Sequence, residues 1–209
     1  MGRTSTAPLQ LQEALIELIW EQSYAHVTID AICEKAKVKK GSFYYFYKSK
    51  GALALDAFDH HWETVSRPNL DRIFSVSKPP QQRLQDWLSF GYQKVLTQKK
   101  EQGQIKGCPF FNIGQETSKI EPEVSAKIGE LLSHFVAYIA AALRDAKEAS
   151  LIDIRDPEAM ARSIFSLAQG SLTQARILNS PDPIADLPEA VSRLSGLELT
   201  PHPTATLTA

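Results

Sequence analysis

The chain has 209 residues, of which 43% are hydrophobic and 22% are charged. This composition is typical of a globular protein and excludes a disordered or collagen-like chain. The formal net charge is −1, which excludes a polycation that binds nucleic acid indiscriminately. Charge is unevenly distributed, because the first 50 residues hold seven basic and five acidic side chains while the remainder is net negative.

The cysteines and the apolar runs bound the cellular setting. Cys33 and Cys108 are 75 positions apart, and neither lies in a metal-ligand spacing, so we expect no disulfide, no metal and no other cofactor. The first apolar run contains Glu17 and lacks the basic segment and cleavage site of a signal peptide. No stretch reaches the apolar length that we expect of a membrane span. These features predict a cytoplasmic protein without a membrane partner.

The stretch from Thr28 to Lys50, TIDAICEKAKVKKGSFYYFYKSK, contains two short helical patterns joined by a tight turn. Thr28 is a good N-cap, since its hydroxyl can accept from the free N–H groups of the first turn. A second helix is predicted from near Lys39 through a run of five aromatic residues, 43–47. Two short helices with a basic and aromatic second member predict a helix-turn-helix.

Lysines in this stretch suggest what it binds. Six lysines lie between Glu34 and Lys50, against one acidic residue, and such a cluster suits phosphate groups. A solvated lysine face is the alternative. Tyrosines among the lysines favour DNA, because their hydroxyls can donate to phosphates while their rings meet sugars and thymine methyl groups.

The same stretch resembles the DNA-binding segment of the TetR-type transcriptional regulators. The matching residues, in order, are Thr28, Ile32, Val38, Gly41, Ser42, Phe43, Tyr44, Tyr45, Lys48 and Lys50. Lys37 replaces the usual turn glycine, so a lysine is expected in the left-handed conformation at a cost of about 1 kcal/mol. The DNA contacts that the residues and the resemblance predict are Thr28, Lys39, Lys40, Ser42, Tyr44, Tyr45, Lys48 and Lys50.

Helical periodicity runs through the rest of the chain, so the predicted fold class is all-α with nine helices. The fourth helix is expected to start near Lys50 and to end at Pro68, and residues 97–106 are expected to form a loop. The longest helix is expected to start at Pro122. The predicted domains are a three-helix DNA-binding domain over residues 1–50 and a six-helix sensing and dimerisation domain over residues 51–196. Residues 1–7 and 197–209 are expected to be disordered.

The resemblance further implies a repressor that binds a pseudo-palindromic operator as a homodimer and leaves it when a small-molecule effector binds. The resemblance also implies that the last two long helices of the chain form the dimer. The alternative is that the apolar residues of these helices complete the protomer core. The predicted interface residues are Ile164, Phe165, Ala168 and Leu172. Aromatic residues could line an effector pocket among the fourth to seventh helices, or simply fill the core. These candidates are Trp62, Trp87, Phe110, Phe111, Phe135 and Tyr138.

Cys108 is the sharpest candidate for sensing. It follows Gly107 at the start of a short predicted helix and lies near Lys106, and both features favour a reactive thiolate. The Gly-Cys pair resembles a subgroup of TetR-type repressors that respond to electrophiles or oxidants through such a cysteine. An inert buried thiol is the alternative. Two other classes remain: a helical enzyme with Cys108 as nucleophile and His134 or His60 as base, and a helical adaptor that binds no DNA.

Overall fold

The computed structural model describes residues 6–202, and every regular element in that range is helical. The α-helices are α1 (Ala7–Glu21), α2 (Ile29–Ala36), α3 (Lys40–Phe46), α4 (Lys50–His61), α5 (Arg67–Ile73), α6 (Pro80–Gln102), α7 (Pro109–Thr117), α8 (Pro122–Glu148), α9 (Pro157–Leu178), α10 (Asp182–Ala185) and α11 (Leu187–Ser195). A π turn joins α4 to α5 without a break, and α10 is a single turn. When α4 and α5 are counted as one continuous helix and α10 is left out, the described residues form nine helices. The all-α prediction is confirmed.

The turn between α2 and α3 forms as the sequence indicates. Thr28 Oγ1 accepts from the Ala31 N–H at 3.1 Å and caps α2. Lys37 ends the helix in the left-handed conformation, with φ 55° and ψ 37°. The Val38 N–H then donates to the Cys33 carbonyl at 2.9 Å, which satisfies one of the last carbonyls of α2. Lys37 thus bears the strain that a glycine would avoid.

Two helix ends differ from expectation. Pro68 does not end the fourth helix, because the π turn Trp62–Ser66 opens the backbone just before it. A wider turn accommodates the missing N–H and the ring of a proline inside a helix. Likewise α6 continues through most of the polar run 97–106, since glutamine, lysine and glutamate are good helix formers. It ends where Gly103 adopts φ 70°.

The described chain forms two compact units. Unit 1 contains residues 6–68 and Pro109–Leu132, and unit 2 contains Asn69–Cys108 and residues 133–202. In unit 1, α4 packs on α1, so the helix-turn-helix is not separate from the fourth helix. This division follows contacts and does not coincide with the functional boundary expected at residue 50, which stays a prediction.

The C-terminal segment is more ordered than expected. Leu197 is buried, and Gln85 bonds both the N–H and the carbonyl of Thr200, at 2.7 and 3.1 Å. The His202 ring stacks on Tyr92 at 4.4 Å between centroids. Disorder from residue 197 onward is therefore wrong for residues 197–202, while residues 203–209 lie outside the described range. At the other end, residues 1–5 lie outside it too, and Ala7 already belongs to α1.

By length and composition, α8 could cross a membrane, contrary to our expectation for any stretch of this sequence. Its apolar character belongs in part to side chains that are buried within the protein. These include Val124, Ile128, Leu131, Ile139 and Leu143. Core helices of this kind meet the same criterion, so the finding gives weak support for a membrane span.

Candidate nucleic-acid interface and cysteine site

Two aromatic residues anchor α3 in unit 1. Phe43 is fully buried, and Tyr47, directly after the helix, is 6% exposed. The Tyr47 hydroxyl accepts from Gln12 Nε2 on α1 at 3.0 Å. Burial of these rings on one side of so short a helix fixes which side faces outward.

The outward side of α3 carries the remaining aromatic residues. Tyr44 is 53% exposed and Tyr45 is 82% exposed, which is unusual for rings of this size. Lys39 and Lys48 flank the helix at its two ends and are exposed. Ser42 is half-buried in the first turn, where its N–H donates to the Lys39 carbonyl at 2.8 Å. Tyrosine hydroxyls and ammonium groups are thus exposed on α3 and at its two flanks, which suits phosphate and base contacts.

The other lysines of the cluster have partners of different kinds. Lys40 pairs with Asp30 at 2.7 Å on the surface. Exposed ion pairs are weak, so Lys40 can exchange this carboxylate for a phosphate. Lys35 instead pairs with Glu17 and Glu21 of α1 at 3.1 and 2.9 Å, and joins α2 to α1.

Lys50 lies in a different environment from the one predicted. Its Nζ donates to the carbonyls of Tyr24 and Val27 at 2.8 and 3.0 Å, and lies 4.1 Å from the centre of the Tyr24 ring. Burial lowers the pKa of Lys50, although Glu121 and Glu116 oppose the shift. Two of its three donors are therefore committed to the backbone. We revise the predicted phosphate contact to a role in holding the turn before α2.

Cys108 is half-buried and directly precedes Pro109, the first residue of α7. Gly107 has φ 75°, and a Cβ atom there would lie 3.2 Å from Cδ of Arg176. Lys94 is an exposed residue, yet desolvation of its ammonium lowers its pKa, while the charge of Cys108 opposes the shift. Sequence reasoning named Lys106 as the cation beside the thiol and missed Lys94, fourteen positions upstream.

Cys33 lies in the core. It is 7% exposed, and burial raises the pKa of its thiol. A buried thiol of this kind is a poor nucleophile.

The predicted effector-site aromatics belong to both units. In unit 1, Trp62 is buried, Phe111 is half-buried, and Phe110 packs against Phe58 and His61 with ring centroids 5.7 and 5.5 Å apart.

In unit 2, Trp87 and Tyr138 both pack on Phe74, at 6.5 and 5.5 Å between centroids. The ring centroids of Phe135 and Phe165 are 6.1 Å apart. Phe74 directly follows α5, and the sequence pattern predicts no helix beyond Pro68 that would include it in the candidate set. The six rings therefore form several clusters, and their role in effector binding stays a prediction.

Three of the residues predicted for the dimer interface lie in the protomer core. Ile164 is fully buried, and Phe165 and Ala168 are 8% and 9% exposed. Only Leu172 of the predicted set is half-buried. These apolar positions of α9 complete the protomer core. The exposed positions of α9 are Glu158, Arg162, Ser163, Ser166, Gly170, Gln174, Arg176, Ile177 and Leu178, of which Ser163, Ser166, Gly170, Gln174 and Ile177 lie on one side.

A helix-turn-helix with exposed tyrosines and lysines, followed by a larger helical region, defines a DNA-binding regulator of the all-α class. Within residues 6–202 no group of three or more histidine, cysteine or acidic residues could hold a metal ion. Residues 11–57 match the family described as "Bacterial regulatory proteins, tetR family". Residues 83–191 match "Tetracyclin repressor-like, C-terminal domain". The chain therefore belongs to the TetR family of transcriptional regulators.

Similar proteins agree with this assignment. The transcriptional regulator AcuR of Cereibacter sphaeroides is 27% identical over 190 residues, which cover 86% of this chain and 81% of that protein. The HTH-type transcriptional repressor NemR of Escherichia coli is 22% identical over 186 residues, covering 88% and 90%.

Solved structures give the same fold. The regulatory protein TetR of Rhodobacter sphaeroides is 25% identical with a TM-score of 0.80, over 91% of this chain and all of that one. The reduced form of Escherichia coli NemR is 20% identical with a TM-score of 0.77, over 90% and 97%. The predicted family and fold are thus confirmed, and neither the enzyme nor the adaptor alternative is favoured.

Proposed function

We propose that this regulator is a repressor that binds a pseudo-palindromic operator as a homodimer and releases it when a small-molecule effector binds. The observation that carries the DNA contact is the exposure of Tyr44 and Tyr45 on α3 between the exposed Lys39 and Lys48. Two copies of α3 in a symmetric dimer would meet successive major grooves about 34 Å apart. The name of the Escherichia coli relative, a repressor, supports repression over activation.

Lys48→Ala is expected to weaken DNA binding several-fold without changing which sequence is preferred. Each phosphate contact contributes about 0.9 to the slope of log affinity against log salt, so a dimer that loses two contacts should lose about two units of slope. Fluorescence anisotropy across a salt series would measure this, with duplexes from the DNA that flanks the gene. Lys100→Ala, at an exposed lysine of α6, is the matched control and should leave the slope unchanged.

Tyr45→Phe removes only a hydroxyl and should weaken binding to all sequences alike. Lys40→Ala should also change base preference, because Lys40 lies in the first turn of α3. An unchanged salt slope for Lys48→Ala would place the DNA contact elsewhere on the molecule.

We further propose that the effector is an electrophile that reacts with Cys108. The thiol lies directly before the N-terminus of α7, where free backbone N–H groups favour a thiolate. Lys94 adds a cation that interacts with the same sulfur. In the reaction, the thiolate sulfur bonds to one alkene carbon of the electrophile and the neighbouring carbon takes a proton from water.

Alkylation of Cys108 with N-ethylmaleimide is expected to lower operator affinity about tenfold in the wild type and to have no effect on Cys108→Ser. The added group occupies space in a packed helical region, which repacks at a cost of about 1–3 kcal/mol. Cys33→Ala is the control, and it should respond like the wild type because Cys33 is buried. Equal loss in wild type and Cys108→Ser, or no loss in either, would make Cys108 a packing residue and the effector a noncovalent ligand.

A further inference from the structure

Two carboxylates at the junction of α7 and α8 contact the turn that leads into the helix-turn-helix. Glu121 Oε2 accepts from the Tyr24 hydroxyl at 2.9 Å. Glu116 Oε2 accepts from the Ala25 N–H at 3.1 Å. All of these residues belong to unit 1, which contains α7 and the first part of α8 as well as the DNA-binding helices. The segment that directly follows Cys108 is thus bonded to the DNA-binding part of the chain.

The contacted turn is a short 3₁₀ helix, Tyr24–His26, between α1 and α2. Tyr24 is 1% exposed, and burial, followed by its bond to Glu121, raises the pKa of its hydroxyl, so the group stays a donor. Lys50, the first residue of α4, donates to the carbonyls of Tyr24 and Val27. Thr28, the cap of α2, follows immediately. A shift of the turn therefore moves the starts of both α2 and α4.

Within unit 1, α7 and the start of α8 pack as one body. A Cβ atom on Gly114 of α7 would lie 3.0 Å from Cγ2 of Ile128, so the two helices approach closely. The Glu121 N–H donates to the Thr117 carbonyl at 2.9 Å and fixes the junction. A Cβ atom on Gly51 of α4 would lie 2.5 Å from Glu121 Oε2, so this carboxylate also lies against the backbone of α4. Because interdigitated helices move as units, a displacement of α7 also displaces the carboxylates of Glu116 and Glu121.

We propose that Glu116 and Glu121 are positioning residues that, with Tyr24 and Lys50, form a latch through which α7 sets the orientation of the DNA-binding helices. This inference rests on the proposed function. In the latched state both carboxylates hold the 3₁₀ turn. In the released state the Tyr24 hydroxyl loses its partner, and leaving a buried hydroxyl unpaired shifts an equilibrium about five- to hundredfold. That range is the size of typical couplings between a regulatory site and a binding site.

Coupling is reciprocal, so DNA binding must act back on α7 if the latch exists. The probe is a duplex selected from a random pool by the purified wild-type protein. Hydrogen–deuterium exchange of residues 113–121 is then measured with and without it. We expect the duplex to slow exchange there at least about fivefold in the wild type, and less than about twofold in Tyr24→Phe. Tyr47→Phe is the matched control, since it loses a hydroxyl bonded to Gln12 of α1, and it should retain the wild-type response.

Glu121 provides a second pair of variants in case Tyr24→Phe folds poorly. Glu121 is half-buried, so Glu121→Ala is tolerated more readily and should abolish the response, whereas Glu121→Gln keeps an acceptor oxygen and should restore it. The latch is ruled out if the duplex protects residues 113–121 equally in wild type, Tyr24→Phe and Glu121→Ala. It is also ruled out if these residues stay unprotected in the wild type although the duplex binds tightly. Failure to select any duplex overturns the proposed function itself, and the latch with it.

Discussion

Gly170→Arg is expected to convert the dimer to a monomer and to lower operator affinity at least about 100-fold. Gly170 lies on the outward side of α9, between Ser166 and Gln174, and a Cβ atom there would meet nothing within 4 Å in the protomer. The arginine side chain would therefore leave the protomer intact, and replacing a helical glycine even stabilises the helix, by up to about 1 kcal/mol. In a dimer that packs through small residues of α9, the same side chain prevents the close approach of the helices. Loss of the second half-site contact removes the gain of about 10²–10⁴ that linked sites provide.

Light scattering at micromolar concentration and anisotropy with the operator would measure both effects. Gly129→Arg on α8 is the matched control, because Gly129 is also an exposed helical glycine with nothing within 4 Å of its would-be Cβ. Ile177, 75% exposed on the same side of α9, provides a second test through Ile177→Glu. A Gly170→Arg protein that stays dimeric and binds DNA as tightly as the wild type would show that the protomers meet through another surface.

The helix-turn-helix could be predicted because its determinants are local. Thr28 caps α2 through an N–H three residues away, and Lys37 ends it through its own φ angle. Because these interactions join residues only a few positions apart, they form largely independently of the rest of the fold.

Which side of α9 would meet a partner cannot be predicted from an apolar pattern alone. Ile164 and Phe165 fill the protomer core, which leaves little of either side chain to contact a second chain, and their role at the interface stays a prediction. The outward side carries Ser163, Ser166, Gly170 and Gln174 beside the apolar Ile177, and Gly170 permits close approach there. Periodicity identifies the buried side of a helix, but not whether its opposite side is solvated or paired.

The sequence does not predict the hydrogen-bond partners of Lys50, and the reason is a different one. A lysine after a basic and aromatic stretch reads as a phosphate ligand, yet its stem of four carbons can also turn the ammonium inward onto backbone carbonyls. Whether it does so depends on the position of the 3₁₀ turn Tyr24–His26. Tyr24, whose carbonyl accepts from Lys50, lies 26 positions before it in the sequence. Contacts of that sequence separation are set by the packing of α1 against α4.

Lys50→Met is expected to lower operator affinity up to about 30-fold while leaving the salt slope unchanged. Methionine keeps the apolar stem but leaves the carbonyls of Tyr24 and Val27 without their donor, at a cost of about 2 kcal/mol. That energy is lost from the ordered state of the turn before α2, and 2 kcal/mol corresponds to about a 30-fold change in an equilibrium. Since Lys50 is committed to these carbonyls, no phosphate contact and no counterion release is lost with it.

The measurement is a salt titration of Lys50→Met beside Lys48→Ala, with thermal unfolding of both proteins. Lys50→Met should unfold at a temperature lower by several degrees, because about 2 kcal/mol shifts the midpoint of a chain of this size by about 4–8 °C. Lys48→Ala, at an exposed position, should unfold like the wild type and lose slope instead. The two lysines are two positions apart, so the opposite pattern of their effects separates a positioning role from a phosphate contact. A reduced salt slope with unchanged thermal stability in Lys50→Met would return Lys50 to the DNA-binding surface.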